Sequence, residues 1–524
     1  MKVEKLPFPP NVDKFDMWID EAIWGVRLYD EQLPWLTFLE FLQVVQYKAK
    51  RPFWEECYNT LSYETFTRLY LRNLLFNNPS VEAIPDSSLC SNVEKWDKWL
   101  ASFRDNVGGI KLPNFDYLRE RFNSFEDFVR VIRFLRENSI EKDNNKRWSS
   151  QFLFPYGPHC IFTDLQVSNL ECNADRRFFK RTGELLYLMI CRSNCGADIF
   201  RYLETIGVVT SNYSSEYKGN KWNRLALCLQ PTQDLESSKD SGNSPYLPYA
   251  NLPEYRELAK DWIRIFECSL PNYDALPHIV TITGLHLIIY LLSRALATLE
   301  REPTPRFILE IIAPKKTTVR SLASDQYQTN NSLPQQAIEH YINSTTELTE
   351  WQTCLNSETP REEAIDILRD RFAWSEAEES SAGSPEDLLK QLRDKAIKRH
   401  KQHLGKFHGA WSREIGLSSS RSSRRTRYAP TDSLLRTLVL ACVPNRMEFQ
   451  EFLATLHQKY GFVIGDRQAS DLIASGEADR GDFVTNAERL EYRLARIGLL
   501  KRLSDACAYV QNPFAPEKQN HASN

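Results

Sequence analysis

Glycine is scarce in this sequence, and the glycine-containing motifs of many enzymes do not occur. Only 19 of the 524 residues are glycine, which argues against a glycine-loop enzyme or an all-β repeat protein. The patterns GxxxxGK[ST], GxGxxG, HExxH, GxSxG and CxxC are all missing. Their absence argues against a nucleotide-hydrolysing motor, a dinucleotide enzyme and the common zinc proteases. The sequence therefore indicates no particular reaction and no cofactor.

Paired cysteines and a secretion signal are missing as well. The 11 cysteines are scattered without paired spacing, which indicates reduced intracellular thiols rather than a disulfide framework. The first 16 residues contain no apolar signal core, so we expect a cytoplasmic protein. One long apolar segment, residues 278–299, contains His278, His286 and Arg294. We expect a buried core helix here rather than a membrane span, and no membrane partner.

The sequence is rich in large apolar side chains, with 42% hydrophobic residues that include 12 Trp, 22 Tyr and 28 Phe. Helical spacing of these residues predicts a mainly α fold, a multi-domain helical body with a C-terminal winged-helix-like module. We predict the following divisions: an N-terminal aromatic-rich helical domain (1–229), a linker (230–251), a middle α(+β) domain (252–375), a basic helix with an Arg/Ser-rich loop (384–430), the winged-helix-like module (431–512) and a tail (513–524).

A strongly basic stretch precedes the C-terminal module. Residues 388–427 contain 12 Lys or Arg and two acids, a net charge of +10 in a chain whose total is −3. Ser384 and Pro385 predict the start of its helix. Such a stretch is typical of a surface that binds nucleic-acid phosphates, but it also suits a helix that packs on the protein's own acidic surface. The candidate phosphate contacts are Lys398, Arg399, Lys401, Arg413, Arg421, Arg424, Arg425 and Arg427.

The residues after Pro430 follow the order of a winged-helix module: helices, a small strand, a last helix and a hairpin. The four helices are predicted to begin at Thr431, at the capping-box-like pair Asn445 and Glu448, at Asp466 and at Thr485. Residues 462–464 read as a short strand, and residues 499–510 as a hairpin.

Three arginines share one face of the last predicted helix: Arg489, Arg493 and Arg496. Their spacing places them opposite the apolar face, where a major groove would be contacted. Glu488 and Glu491 on the same helix weaken this interpretation. Many winged helices bind only proteins, so the pattern leaves DNA and protein contact both open.

Two further patterns suggest metal chemistry. Glu310 lies in the best predicted strand, residues 306–312, and Lys315 and Lys316 follow it, an acid–lysine order typical of metal-dependent nucleases. The second acid is not placed, and the usual one-residue gap is absent. Three histidines also lie close together in the basic stretch, where they either ligate a metal or belong to a basic helix face: His400, His403 and His408.

Two runs resemble uncharacterised accessory proteins of multi-gene bacterial anti-phage defence clusters, which combine helicases, ATPases and nucleases with accessory subunits. The runs are WGVRLYDEQLPW, residues 24–35, and SRRTRYAPTD, residues 423–432. The resemblance implies an accessory subunit on a partner ATPase, helicase or nuclease, and it identifies no catalytic residue. With the basic stretch, it predicts a non-enzymatic DNA-binding subunit. The alternatives are a protein–protein assembly scaffold and a metal-dependent nuclease centred on Glu310.

Overall fold

The computed structural model describes most of the chain. The described residues are 5–6, 8, 16–53, 61–84, 91–104, 107–111, 113–140, 151–168, 171–173, 178–213, 217–232, 237–239, 246–312, 317–375, 383–420, 425–504 and 507–516. Within them the protein is mainly helical, as the sequence predicts.

The helices are distributed along the whole of the described chain. They are α1 Asp20–Trp24, α2 Pro34–Tyr47, α3 Leu69–Phe76, α4 Asn92–Phe103, α5 Tyr117–Arg121, α6 Phe125–Glu137, α7 Thr182–Arg192, α8 Gly196–Thr205, α9 Lys221–Cys228, α10 Pro253–Glu267, α11 Ala275–Thr298, α12 Thr318–Asn343, α13 Thr349–Cys354, α14 Pro360–Phe372, α15 Pro385–Gln402, α16 Leu404–Glu414, α17 Asp432–Cys442, α18 Phe449–Tyr460, α19 Ser470–Ala474 and α20 Arg480–Arg496.

The strands are short and form small sheets. They are β1 Glu64–Phe66, β2 Ser139–Ile140, β3 Phe152–Leu153, β4 Gln166–Ser168, β5 Glu171–Asn173, β6 Ser237–Lys239, β7 Phe307–Ile308, β8 Ser418–Ser419, β9 Arg427–Tyr428, β10 Arg446–Glu448, β11 Phe462–Val463, β12 Leu500–Ser504 and β13 Cys507–Gln511. The largest described sheet is antiparallel, with the order β10-β13-β12, and β7 pairs with β11 in parallel.

The chain divides into two compact units. The first unit comprises residues 1–34, 192–195 and 245–524, and the second comprises residues 35–191 and 196–244. In the second unit, α4 and α6 pack rings of Trp96, Trp99 and Phe128 into one aromatic core. Strand β6 of this unit lies within the predicted linker, residues 230–251, and pairs antiparallel with β1.

Helix α11 lies at the centre of the first unit, and most of its residues are buried. The segment Asn272–Thr298, which contains α11, has the length and apolar composition of a membrane span, and 83% of its most apolar window is buried inside the protein. The indole Nε1 of Trp24 donates to the carbonyl oxygen of Leu291 at 3.0 Å, so α1 is fixed against α11. The prediction of a buried core helix is confirmed.

Local signals mark the starts of two C-terminal helices correctly. The Ser384 hydroxyl accepts from the backbone N–H of Asp387 at the start of α15. The Thr431 hydroxyl accepts from the N–H of Leu434 at the start of α17. Both are N-caps, which satisfy backbone donors that a helix leaves free.

Three other predicted helix starts are wrong. The second helix of the C-terminal region begins at Phe449, with Glu448 as its N-cap, and the residues before it form β10. The third, expected from Asp466, is only the short α19. The fourth begins at Arg480 rather than Thr485, because Asp479 caps the N–H of Asp482 and the helix buries Phe483.

The predicted strand over residues 306–312 is mostly not a strand. Only β7 forms regular pairing, and the side chain of Asn486 bonds the backbone that follows it. Its Oδ1 accepts from the N–H of Ile311 at 2.8 Å, and its Nδ2 donates to the carbonyl oxygen of Leu309 at 2.9 Å. A buried amide therefore satisfies backbone groups that a longer ladder would have paired.

Candidate nucleic-acid interface

Helix α20 is amphipathic and presents its polar face as one wall of a groove. Phe483, Leu490 and Leu494 lie on its buried face. The opposite face contributes six residues to a cavity of about 600 Å³, which also borders Ile311 and Ile312. These six are Thr485, Glu488, Arg489, Tyr492, Arg493 and Arg496. The structure therefore brings the three predicted arginines together.

The three arginines differ in how much of their charge is already paired. Arg493 forms an ion pair with Asp432 at 2.6 Å and donates to the carbonyl oxygen of Pro430 at 2.9 Å. Arg496 is exposed, and its guanidinium lies 5.9 Å from the ring centroid of Tyr492. Arg489 is half-buried. Arg493 thus positions α20 against the start of α17, while Arg489 and Arg496 remain candidates for an external anion.

Tyr492 was not predicted from the sequence as a site residue, although it lies on the same face of α20 as the three arginines. Its side chain is 67% exposed, which is unusual for a large aromatic residue in a folded protein. An exposed ring beside guanidinium groups suits stacking on a nucleobase or packing on a protein. Its position in the sequence, three residues after Arg489 and one before Arg493, could have identified it, because helical spacing places it on the arginine face.

The hairpin after α20 carries further positive charge that the sequence reading missed. Lys501 and Arg502 on β12 are exposed. Arg502 forms an ion pair with Glu491 of α20 at 3.0 Å, which ties the hairpin to the helix. This contact also accounts for Glu491, whose charge faces the hairpin arginine. Lys501 is a further exposed cation of this hairpin.

The Arg/Ser-rich segment is only partly described, since Arg421 and Arg424 lie outside the described residues. Arg425 is exposed. Arg427 is instead buried in β9, and its Nε forms an ion pair with Glu310. Its side chain is 7% exposed, so we assign Arg427 a structural role rather than a phosphate contact.

The basic helix and the helix after it also contain both exposed and inward-facing cations. Lys398, Lys401 and Arg413 are exposed. The guanidinium of Arg399 turns inward, where its Nη2 lies 2.5 Å from Glu21 Oε1 and its Nε lies 3.4 Å from Asp20 Oδ2. Both carboxylates are buried, so Arg399 neutralises charge inside the first unit. Arg399 is therefore not a phosphate contact. It follows the alternative given for the basic stretch, in which the helix packs on acidic groups of the same protein.

Glu310 is fully buried and has two cationic partners. Its Oε1 accepts from Arg320 Nε at 2.7 Å, and its Oε2 accepts from Arg427 Nε. A carboxylate held by two guanidinium groups is already neutralised and offers little to a metal ion. Lys315 and Lys316 lie outside the described residues. The contacts of Glu310 are those of a structural ion cluster, and they do not support the nuclease alternative.

The three histidines of the basic stretch have separate surroundings. His403 Nδ1 lies 3.2 Å from Asp30 Oδ1, and its ring packs on Tyr29. His408 accepts from the Tyr428 hydroxyl at 2.7 Å, and burial lowers its pKa to about 3. Burial also lowers the pKa of His400 to about 4. Among the described residues, no group of three His, Cys, Asp or Glu side chains is placed to hold a metal ion.

Comparison of the chain with protein-family models, with curated proteins and with solved structures yields no match. The case for a function therefore depends on the geometry of the α20 face and on the sequence.

Proposed function

We propose that residues 431–512 are a winged-helix module and that the protein is a non-enzymatic DNA-binding accessory subunit. The proposal is supported by the chain order α17, β10, α18, β11, α19, α20, β12, β13 and by the strand order β10-β13-β12. In a winged helix the first strand pairs with the last, and the hairpin extends beside the last helix. That last helix is the one that enters the major groove.

The observation that carries the proposal is the composition of the outward face of α20. Arg489, Tyr492 and Arg496 line an open groove of about 600 Å³. Guanidinium groups bind phosphate oxygens and guanine edges in a bidentate manner, and the exposed ring of Tyr492 offers a stacking surface. We assign Lys501, an exposed cation of the hairpin, to the contact between the wing and the DNA backbone.

A further part of the proposal concerns partners. The runs at residues 24–35 and 423–432 resemble accessory proteins of anti-phage defence clusters. We therefore propose a partner ATPase, helicase or nuclease of the same system, which supplies the chemistry while this chain supplies DNA contact. This part is supported by the resemblance of the two runs.

The test is fluorescence anisotropy of the full chain with a labelled DNA duplex across a salt series. The test variant is Arg489→Ala with Arg496→Ala. A matched control, Arg130→Ala with Arg201→Ala, removes two exposed arginines of the second unit whose ion pairs are with acids three residues away. If both test arginines contact phosphates, the slope of log K against log salt falls by about 2, and the control keeps the wild-type slope.

The outcomes separate the two halves of the proposal. If the wild-type chain binds DNA and both variants bind it with the same affinity and salt dependence, α20 is not part of the interface. Lys398, Lys401 and Arg413 then remain as candidate contacts. No salt-dependent binding by the wild-type chain at low ionic strength would overturn the DNA-binding function itself.

A protein-binding scaffold is the second candidate, and one observation favours it. Three large apolar residues of the C-terminal region are well exposed: Ile312 at 51%, Tyr492 at 67% and Leu503 at 59%. Contiguous exposed apolar side chains mark protein interfaces, and Ile312 and Tyr492 line the same groove. Under this alternative, Ile312→Asp abolishes assembly with a co-expressed neighbouring subunit, whereas under the DNA-binding function it leaves that assembly intact.

A further inference from the structure

Glu488 lines the groove of α20, although its charge is the wrong one for a phosphate contact. Its side chain is exposed. A carboxylate at this place faces a polyanion with one negative charge per about 1.7 Å of duplex, so phosphate groups repel it. Glu491, the other acid that argued against a DNA contact, pairs with Arg502 at 3.0 Å. The charge of Glu488 is not neutralised in this way.

The helix itself offers Glu488 no cation. Side chains three and four residues apart face each other on a helix, whereas side chains one residue apart do not. The positions that face Glu488 are Val484, Thr485, Glu491 and Tyr492. Its sequence neighbour Arg489 is turned by about 100° around the helix axis. Among the described residues the Glu488 carboxylate has no hydrogen bond or ion pair, so it is free to accept from a ligand in the groove.

The groove-lining residues of α20 form two rows along the helix. One row is Thr485, Glu488 and Tyr492, and the other is Arg489, Arg493 and Arg496. The arginine row is suited to phosphate oxygens and guanine edges. The first row has no cation, and its members are a hydroxyl, a carboxylate and an exposed aromatic ring. Such a row is suited to the edges of bases rather than to the DNA backbone.

The bases of a duplex offer two donors in the major groove, the amino groups at N4 of cytosine and at N6 of adenine. An ionised carboxylate can only accept. Adenine presents the acceptor N7 beside its N6 amino group, which suits the paired donor and acceptor of Asn or Gln. Cytosine presents its N4 amino group without an acceptor of its own. A carboxylate on a helix in the major groove is therefore best matched by cytosine.

We propose that Glu488 is a specificity-determining residue that selects cytosine, with its carboxylate accepting from the N4 amino group in the major groove. The inference rests on the proposed DNA-binding function and deepens it, because it adds a preferred base pair to a general affinity for duplex DNA. An acid that repels the backbone at every site, and gains a hydrogen bond only at a matching one, widens the difference between sites.

Selection from a library of duplexes with a randomised segment, followed by sequencing, tests the proposal with the full chain. We expect the wild-type chain to enrich cytosine at one position of its motif. Glu488→Gln keeps the shape of the side chain but carries a donor and an acceptor, so it is expected to lose that preference or to enrich adenine. The matched control is Glu451→Gln, which neutralises an exposed carboxylate of α18 outside the groove and is expected to select the wild-type motif.

A modified base tests the hydrogen bond directly. In a pair between N4-methylcytosine and guanine, the methyl group replaces the amino hydrogen that points into the major groove, and the other hydrogen still pairs. Placed at the selected position, N4-methylcytosine is expected to weaken wild-type binding about tenfold in an anisotropy titration. Glu488→Ala, which has no acceptor there, is expected to bind the modified and unmodified duplexes equally.

The outcomes separate this inference from the DNA-binding function. If the wild-type chain binds no duplex, the proposed function is wrong, and the role of Glu488 is wrong with it. The inference alone is overturned if the wild-type chain binds DNA without selecting cytosine, or if Glu488→Gln selects the wild-type motif. Equal wild-type affinity for the methylated and unmethylated duplexes would also overturn it.

Discussion

Replacing Glu310 with glutamine is the sharpest test of how the C-terminal region is held together. The side chain of Glu310 is 1% exposed and that of Arg427 is 7% exposed, so the change removes one charge of a buried ion pair. Breaking a buried ion pair by removing one partner costs about 3–5 kcal/mol. Arg320 is 27% exposed and regains water, so it adds little to this loss. We therefore expect the melting temperature of the first unit to fall by roughly 5–10 °C.

Differential scanning calorimetry measures this change, because two units need not unfold in one transition. The matched control is Glu358→Gln, which neutralises an exposed carboxylate and is expected to change stability by less than about 0.5 kcal/mol. The double variant Glu310→Met with Arg427→Met removes both charges and is expected to recover most of the loss. A rise in melting temperature for Glu310→Gln would refute the assignment of Glu310 to an ion cluster. It is the result expected for a ligand of an empty metal site, because neutralising one such carboxylate relieves repulsion between the ligands.

Two further predictions concern pH and backbone geometry. Burial holds the pKa of His408 at about 3, below the unfolded value near 6.5. The folding stability is therefore retained above pH 6.5 and falls as the pH drops towards 3, by up to about 1.4 kcal/mol per pH unit. We expect His408→Gln to make the fall in melting temperature between pH 6.5 and pH 5 shallower, and an unchanged slope would contradict this reasoning. Gly461→Ala is expected to destabilise far more than Gly476→Ala in denaturant titrations: both have positive φ, but a Cβ at Gly461 would lie 2.0 Å from the carbonyl oxygen of Pro305, whereas at Gly476 it meets nothing within 4 Å.

Predictions from the sequence succeeded where the signal is local. The cap residues Ser384 and Thr431 lie next to the N–H groups they satisfy, so the pattern of a few residues is sufficient. The three arginines of α20 share a face because helical periodicity alone decides it. Helix α11 is recognised as buried because its polar residues are too many for a lipid-facing span and too few for a surface helix.

The roles of individual charges were not predictable, because their partners are distant in sequence. Arg399 pairs with Asp20 and Glu21, and Arg427 pairs with Glu310, more than a hundred residues away. A count of charge along the basic stretch treats all its arginines alike. Burial then removes two of the eight candidate contacts of that stretch, and no local pattern distinguishes them from exposed neighbours such as Lys398.

The same argument moves the centre of the DNA-binding proposal from the basic stretch to the α20 face. A buried, paired arginine releases no counterions, so its charge contributes nothing to affinity for a phosphate backbone. The ion pairs of α20 connect neighbouring elements. Arg493 pairs with Asp432 at the start of α17, and Arg502 of the hairpin pairs with Glu491 of α20. Of the two acids that weaken the case in the sequence, Glu491 is thereby accounted for, whereas Glu488 lines the groove beside Arg489. What remains on that surface is a net positive, partly aromatic face on a fixed helix.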